Sequence, residues 1–285
     1  MALSPLKFWT TTYDDLEKLR FATENRMRSM ILDHNELTYY DPTRQVIRDL
    51  QNTSKKEVEK LFKQGYPELY AWAREIPGLS NCWGLARLVG TIGDPFIATP
   101  SHFEKQDGKR VQVFDPPYLR TVKQLKSYCG VGDSKRRRTR RGITEAEFKT
   151  CGRKDAQSIL FNIVKGCISQ TGKKYENRKQ SLISPYRISY EQWRYFYLDT
   201  IHKEDPDECT LCKGQALWSD KHQDLASRRN VAQEIIQRIW EISRDKFDKE
   251  MGPYQSSELR MYRSQVLERT SSGSGTSETS FSLNS

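Results

Sequence analysis

Residues 69–95 read LYAWAREIPGLSNCWGLARLVGTIGDP, and the way this stretch folds decides how the rest of the chain is arranged. A short helix runs up to Ile76-Pro77-Gly78-Leu79, where Pro77 lacks the N–H and the free φ that a helix interior needs. Gly78 supplies the backbone freedom for a reversal. Ser80 is placed to cap a second helix, from about Ser80 to Thr91, and Gly93 with Pro95 stops it. The pattern is that of a helix-hairpin-helix. Backbone N–H groups at such a helix start suit an anion, above all a nucleic-acid phosphate, which makes Pro77, Gly78, Leu79 and Ser80 candidate DNA contacts. The plainer alternative is a Pro-Gly turn between two helices that binds nothing.

Upstream, residues 1–65 read as two helices forming an N-terminal arm. Tyr13, Leu16, Leu19, Thr23, Met27 and Met30 share one face of the first. The second begins at Asp41-Pro42, a cap followed by Pro at the first helical position, and carries Val46, Ile47, Leu50, Val58, Leu61 and Phe62. Such a pair packs on a core or serves as a dimerisation arm. His34, between the two helices, has no visible partner residues.

Downstream, residues 66–252 form the main helical domain. Residues 96–118 look like an insertion, a loop or short β-hairpin with VQVF as a strand. Leu119–Cys129 is a short amphipathic helix ended by Gly130. Residues 135–141 then read KRRRTRR, with basic Lys135, Arg136, Arg137, Arg138, Arg140 and Arg141 in seven positions. On duplex DNA each neutralised phosphate adds about 0.9 to the slope of log K against log salt, so a few contacts dominate non-specific affinity. A solvated loop is the alternative. A helix over 153–170 turns Ile159, Leu160, Ile163, Val164, Cys167 and Ile168 inward. The next, capped by Ser184 with Pro185 at its first position, holds Tyr186, Tyr190, Trp193, Tyr195, Phe196 and Tyr197; these aromatics form core or stack on bases. A long helix from Ser219-Asp220 to about Glu250 carries Leu225, Ala232, Ile235, Ile236, Ile239, Trp240, Ile242 and Phe247. Residues 253–285, rich in Ser, Thr and Gly, are expected to be a disordered tail.

The 285 residues can bury a sizeable core, and the net charge of +10 favours an anionic partner. Aromatic residues make up 11% of the chain, which argues against wholesale disorder despite a mean hydropathy of −0.80. No stretch approaches a membrane span, and the N-terminus lacks the apolar run of a signal peptide, so a cytoplasmic protein without membrane association is expected. Its six cysteines are then thiols or metal ligands. Cys82, Cys129, Cys151 and Cys167 are scattered and read as buried small side chains. Region 201–222 differs: His202, Cys209, Cys212 and His222 offer two sulfurs and two nitrogens, the tetrahedral set that zinc accepts. The Cys209–Cys212 spacing is that of a metal knuckle, although the histidine spacings match no standard finger. No alternating strand–helix pattern surrounds the pair, which argues against a redox role.

From Tyr70 to Trp240 the ordered fragments resemble the C-terminal domain of transposases of the insertion-sequence 110/116/902 family. The matching residues are I76-P77-G78-L79, L85-A86-R87-L88, I92-G93-D94-P95, L125-K126-S127-Y128-C129-G130 before the basic run, S184-P185-Y186-R187, and W218-S219-D220 with His222 leading to I239-W240. The resemblance implies a DNA-recombination module in a family with an RNA-guided mechanism. It also implies a separate RNase-H-like nuclease domain with four acidic metal ligands, for which 65 helical residues leave no room. The family's nucleophilic serine carries over to Ser134, which lacks the glycine that follows it in the family. Three functions follow as expectations: a transposase-like DNA-binding protein, a recombinase acting with a separate nuclease subunit and a guide RNA, or a structural helical protein. A homo-oligomer or a separate nuclease subunit is the expected protein partner.

Overall fold

The computed structural model describes residues 4–30, 37–99, 101–106, 109–114, 117–132, 152–171, 182–202, 209 and 211–251. The chain is mainly α. Among the described residues eight helices follow in order: α1 (Pro5–Met30), α2 (Leu37–Gly65), α3 (Pro67–Glu75), α4 (Trp83–Ile92), α5 (Val122–Tyr128), α6 (Lys154–Ile168), α7 (Pro185–Phe196) and α8 (Asp220–Met251). The expected insertion holds four short strands, β1 (Ile97–Ala98), β2 (Ser101–Gln106), β3 (Lys109–Phe114) and β4 (Tyr118–Leu119). They pair as nested antiparallel ladders, β1 with β4 and β2 with β3, the latter from Ser101↔Phe114 to Gln106↔Lys109.

Helix α4 is the middle of the molecule. Seven of its ten residues are buried, from Leu85 to Ile92, and a helix apolar on every side must be covered on every side. The arm helices α1 and α2 cover one flank and α6 the other. Gly90 permits the close approach of α1: a Cβ there would lie 2.0 Å from Thr10 Oγ1. Arg87 ties the same two helices, donating from Nε to Asp14 Oδ1 (2.8 Å) and from Nη2 to Glu17 Oε2 (2.6 Å). Beyond α4, α6 buries Ala156, Ile159, Leu160, Ile163, Val164 and Cys167 along one stripe. Helix α8 contributes Val231, Ala232, Ile235, Ile236 and Ile239, all fully buried, and gathers α3, α5, α6 and α7 along its length.

Several boundaries and faces differ from the sequence reading. Helix α2 starts at Leu37, with Pro42 inside it rather than at its first position. Leu19, Val46 and Leu50 are half exposed, while Ile47, Gln51, Ser54, Val58 and Phe62 are buried. Among the described residues the far part of the two-helix pair has one neighbour, so the covered stripe there is narrower than the apolar one. Leu225 is exposed too, because the first turns of α8 face the Trp218 loop through buried Gln223 and Ser227; Gln223 Nε2 donates to Trp218 O at 2.9 Å. Helix α5 is shorter than expected, Leu119 being in β4, and a reciprocal Thr121–Gln124 capping box starts it. Cys82, Cys129 and Cys167 are buried as expected. His34, Cys151 and the 253–285 segment lie outside the described residues.

Candidate functional site

Two turns link α3 to α4: the Leu79 N–H donates to Ile76 O (2.9 Å), and the Cys82 N–H donates to Leu79 O (2.7 Å). The second turn uses Ser80 and Asn81, so α4 starts at Trp83 and its cap is Cys82, at φ +57, rather than Ser80. Burying Leu79, which is 2% exposed, is what the extra turn achieves. Gly78, at φ +93, rests on α6, where a Cβ would lie 2.6 Å from Cys167 Cα and 2.7 Å from Gly166 O. Ser80 is exposed, whereas Pro77 and Gly78 are half-buried. Helices α3 and α4 share α2 as a partner and otherwise diverge, α3 packing on α8 and α4 on α1 and α6.

Ser134 and the basic run Lys135–Arg141 lie outside the described residues, but the points where their segment leaves and rejoins the structure are defined. Helix α5 ends in a double turn with Gly130 at φ +72; the Gly130 N–H donates to Ser127 O and the Val131 N–H to Lys126 O. This is the Schellman ending that a left-handed glycine allows. The Arg153 N–H donates to Tyr128 O at 2.8 Å. Gln157 Nε2 reaches Gly130 O at 3.0 Å, and Gln233 Nε2 reaches Val131 O at 2.6 Å. Arg229 donates to Gly132 O. Both ends of the intervening segment are therefore pinned to one corner, where α5, α6 and α8 meet.

The third site is the connection from α7 to α8. An isolated bridge pairs Ile201 with Leu217, flanked by hydrogen bonds from His202 N to Ala216 O and from Trp218 N to Thr200 O, each 3.0 Å. This brings His202 beside a tight turn in which the N–H groups of Cys212 and Lys213 both donate to Cys209 O. Lys213 and Gly214 take positive φ, +50 and +83, to complete it. Ser219 precedes α8 and accepts from the His222 N–H at 3.3 Å, which fixes His222 in the first turn. One ligand atom from each of His202, Cys209, Cys212 and His222 lies within 4.8 Å of every other.

The surroundings suit a metal ion. His222 Nδ1 is 3.5 Å from Cys209 Sγ and 3.3 Å from Cys212 Sγ. His202 Nε2 is buried with no hydrogen-bond partner, a cost that a ligand would remove. Trp218 lies flat on His222, with ring centroids 4.0 Å apart and planes 7° apart, which orients the imidazole. The Ser219 N–H donates to Cys212 Sγ at 3.2 Å. Burial alone would raise the Cys212 thiol; the Ser219 N–H and hydroxyl, with His202 and Cys209 close by, outweigh it and bring the pKa to about 7. A thiolate is the metal-binding form. By contrast, burial pushes the Cys129 and Cys167 thiols up to about 12, so they are inert core. The four residues named from the sequence are thus brought together and can hold a metal ion.

The aromatics of α7 divide. Tyr190 donates to Asp224 Oδ1 (2.6 Å) and Trp193 Nε1 to Glu234 Oε1 (2.7 Å), joining α7 to α8, whereas Tyr195 and Phe196 are exposed. Among the described residues no helix is long and apolar enough to cross a membrane. Comparison with protein-family models, with curated proteins and with solved structures finds no match.

Proposed function

We propose that this protein is a zinc-stabilised, transposase-like DNA-binding protein. The observation that carries the nucleic-acid part is the distribution of charge. Residues 133–181 hold fourteen Lys and Arg against five Asp and Glu, which accounts for nine of the chain's ten net positive charges. This segment includes KRRRTRR and is centred on α6, the helix against which the hairpin glycine rests. Positive charge concentrated in this way along the sequence seeks a polyanion. The family resemblance of the same fragments points to DNA, and with it to recombination.

Zinc is the metal the donor set favours, since two thiolates and two imidazoles are a closed structural set. With metal–sulfur and metal–nitrogen lengths of about 2.3 and about 2.0–2.1 Å, a tetrahedral sulfur–nitrogen edge is about 3.6 Å. The 3.3 and 3.5 Å separations to His222 fit that edge. The zinc supplies rigidity to the α7–α8 connection, and the chain's own Ser219 and Trp218 hold the ligands in place.

A gel shift of duplex DNA at about 100 mM salt tests the DNA reading. The full chain should retain the DNA, and replacing Lys135, Arg136, Arg137, Arg138, Arg140 and Arg141 with Gln should weaken binding at least tenfold. The slope of log K against log salt should fall by about 0.9 for each phosphate that is no longer neutralised. Unchanged affinity and slope in the sixfold variant would remove the reading's main support.

A further inference from the structure

The two sulfurs of the candidate metal centre are placed to bond to one another as well as to a metal. The Cys212 N–H donates to Cys209 O at 3.2 Å, the hydrogen bond of a four-residue turn, and such a turn keeps its end Cα atoms within about 7 Å. A disulfide needs about 4.4–6.8 Å between Cα atoms, so a small adjustment of this turn closes one. The two Sγ atoms lie within 4.8 Å of each other, and His222 Nδ1 is 3.5 and 3.3 Å from them.

Access separates this pair from the other described cysteines. Cys82, Cys129 and Cys167 are at most 3% exposed and belong to the hydrophobic core, whereas Cys209 is half-buried. Cysteine oxidation follows exposure, so an oxidant in solution meets Cys209 first. Cys212 is buried, and its sulfur is held beside Cys209 by Ser219, whose N–H donates to Sγ at 3.2 Å and whose hydroxyl lies 3.6 Å from it. The arrangement is that of an outer thiol that reacts and an inner one that resolves.

We propose that Cys209 and Cys212 form a peroxide-sensitive switch on the metal centre, in which oxidation to a disulfide ejects the ion. Cys209 Sγ attacks one oxygen of hydrogen peroxide; the sulfur–oxygen bond forms as the oxygen–oxygen bond breaks, and the departing hydroxide takes up a proton to become water. Cys212 Sγ then attacks the Cys209 sulfur; the disulfide forms, the sulfur–oxygen bond breaks, and a second hydroxide leaves and is protonated. Two thiolates, one peroxide and two protons thus become one disulfide and two waters, with two electrons passing from sulfur to peroxide. A disulfide is no zinc ligand, and His202 and His222 alone are half of the set. Loss of the ion leaves His202 Nε2 buried without a hydrogen-bond partner, so reduction and the return of metal are favoured together. The proposal rests on the metal reading and not on the DNA reading.

Peroxide titration of the full, zinc-loaded chain tests it, in a Cys151→Ser background because Cys151 lies outside the described residues. Zinc content is measured first. Release is then followed with a metal-binding dye, and intact mass and cross-linked peptides are read by mass spectrometry. One ion should be freed for every two thiols lost, at least tenfold faster than without peroxide, with the chain lighter by two hydrogens and Cys209 joined to Cys212. A dithiol reductant with added zinc should restore both the thiols and the metal. Zinc fully retained under excess peroxide overturns the switch, as does a chain made heavier by added oxygen or joined through any other pair of cysteines. A disulfide formed with zinc still bound overturns the ejection, and metal that does not return on reduction overturns the switch as a reversible device. A preparation that holds no zinc before peroxide is added defeats the metal reading instead, and that first measurement tells the two failures apart.

Discussion

Gly78 shows how one residue can hold two helices in register. At φ +93 it sits in a region that side chains avoid, and a methyl group there would lie inside van der Waals distance of the α6 backbone. Gly93 has a similar φ of +76, yet nothing lies within 4 Å of an added Cβ. The two positions separate strain from crowding. Gly93→Ala should cost about 1–3 kcal/mol from backbone strain alone, because φ +76 with ψ −158 is a region used almost only by glycine. Gly78→Ala adds overpacking against backbone, which cannot rotate aside, so it should cost about 2–4 kcal/mol. Urea unfolding of both variants measures the difference; equal losses would show that the α6 backbone yields freely. Pro77-Gly78 announces the turn in the sequence. What Gly78 touches does not show there, because Gly166 and Cys167 lie nearly ninety positions away and have no pattern of their own.

At the scale of elements, the helices legible in the sequence are those whose stripe is both aliphatic and covered along its full length. Helix α6 is the clearest: every inward residue named from its period is buried. The arm helices are harder, since Val46 and Leu50 belong to the apolar pattern but stay half exposed. The α5 start is marked by Thr121 and Gln124 at capping-box spacing, a signal that the amphipathic period of that stretch masks. The α7–α8 connection is legible as a set of residue types and not as a shape. His202 joins the cysteines only because the Ile201–Leu217 bridge folds the chain back, and His222 because Ser219 starts α8 where it does. If those four residues bind zinc, the purified chain should carry about one metal per molecule. Cobalt substitution should then give the visible bands of a tetrahedral thiolate site. Cys212→Ser should abolish the bands, whereas Cys129→Ser, in the core, should leave them unchanged. Bands that survive Cys212→Ser would exclude the site.

At the scale of the molecule, the question is whether the metal end and the arm end belong to one cooperative unit. Helix α8 starts at the candidate metal site and runs past α7, α6, α5 and α3; α6 passes the packing on to α4, and α4 to the arm. One hydrophobic cluster includes residues from Leu6 to Ile239, with Trp193 of α7 packed against it; the four candidate ligands lie outside that cluster and join it through α8. A ligand that binds only the folded state stabilises it by about 2.7 kcal/mol at a hundred times its Kd. Applied to a single unit, that should raise the whole melting transition by about 5–10 °C, given about 2–4 °C per kcal/mol for chains of this size. Calorimetry of metal-free and zinc-loaded protein distinguishes two outcomes. One transition moving upward as a whole means that metal binding at the α7–α8 connection stabilises the hairpin and the arm as well, through α8. A small zinc-sensitive transition below an unmoved main one would mean that the metal end melts alone, and the hairpin's hold on α6 would owe nothing to the metal.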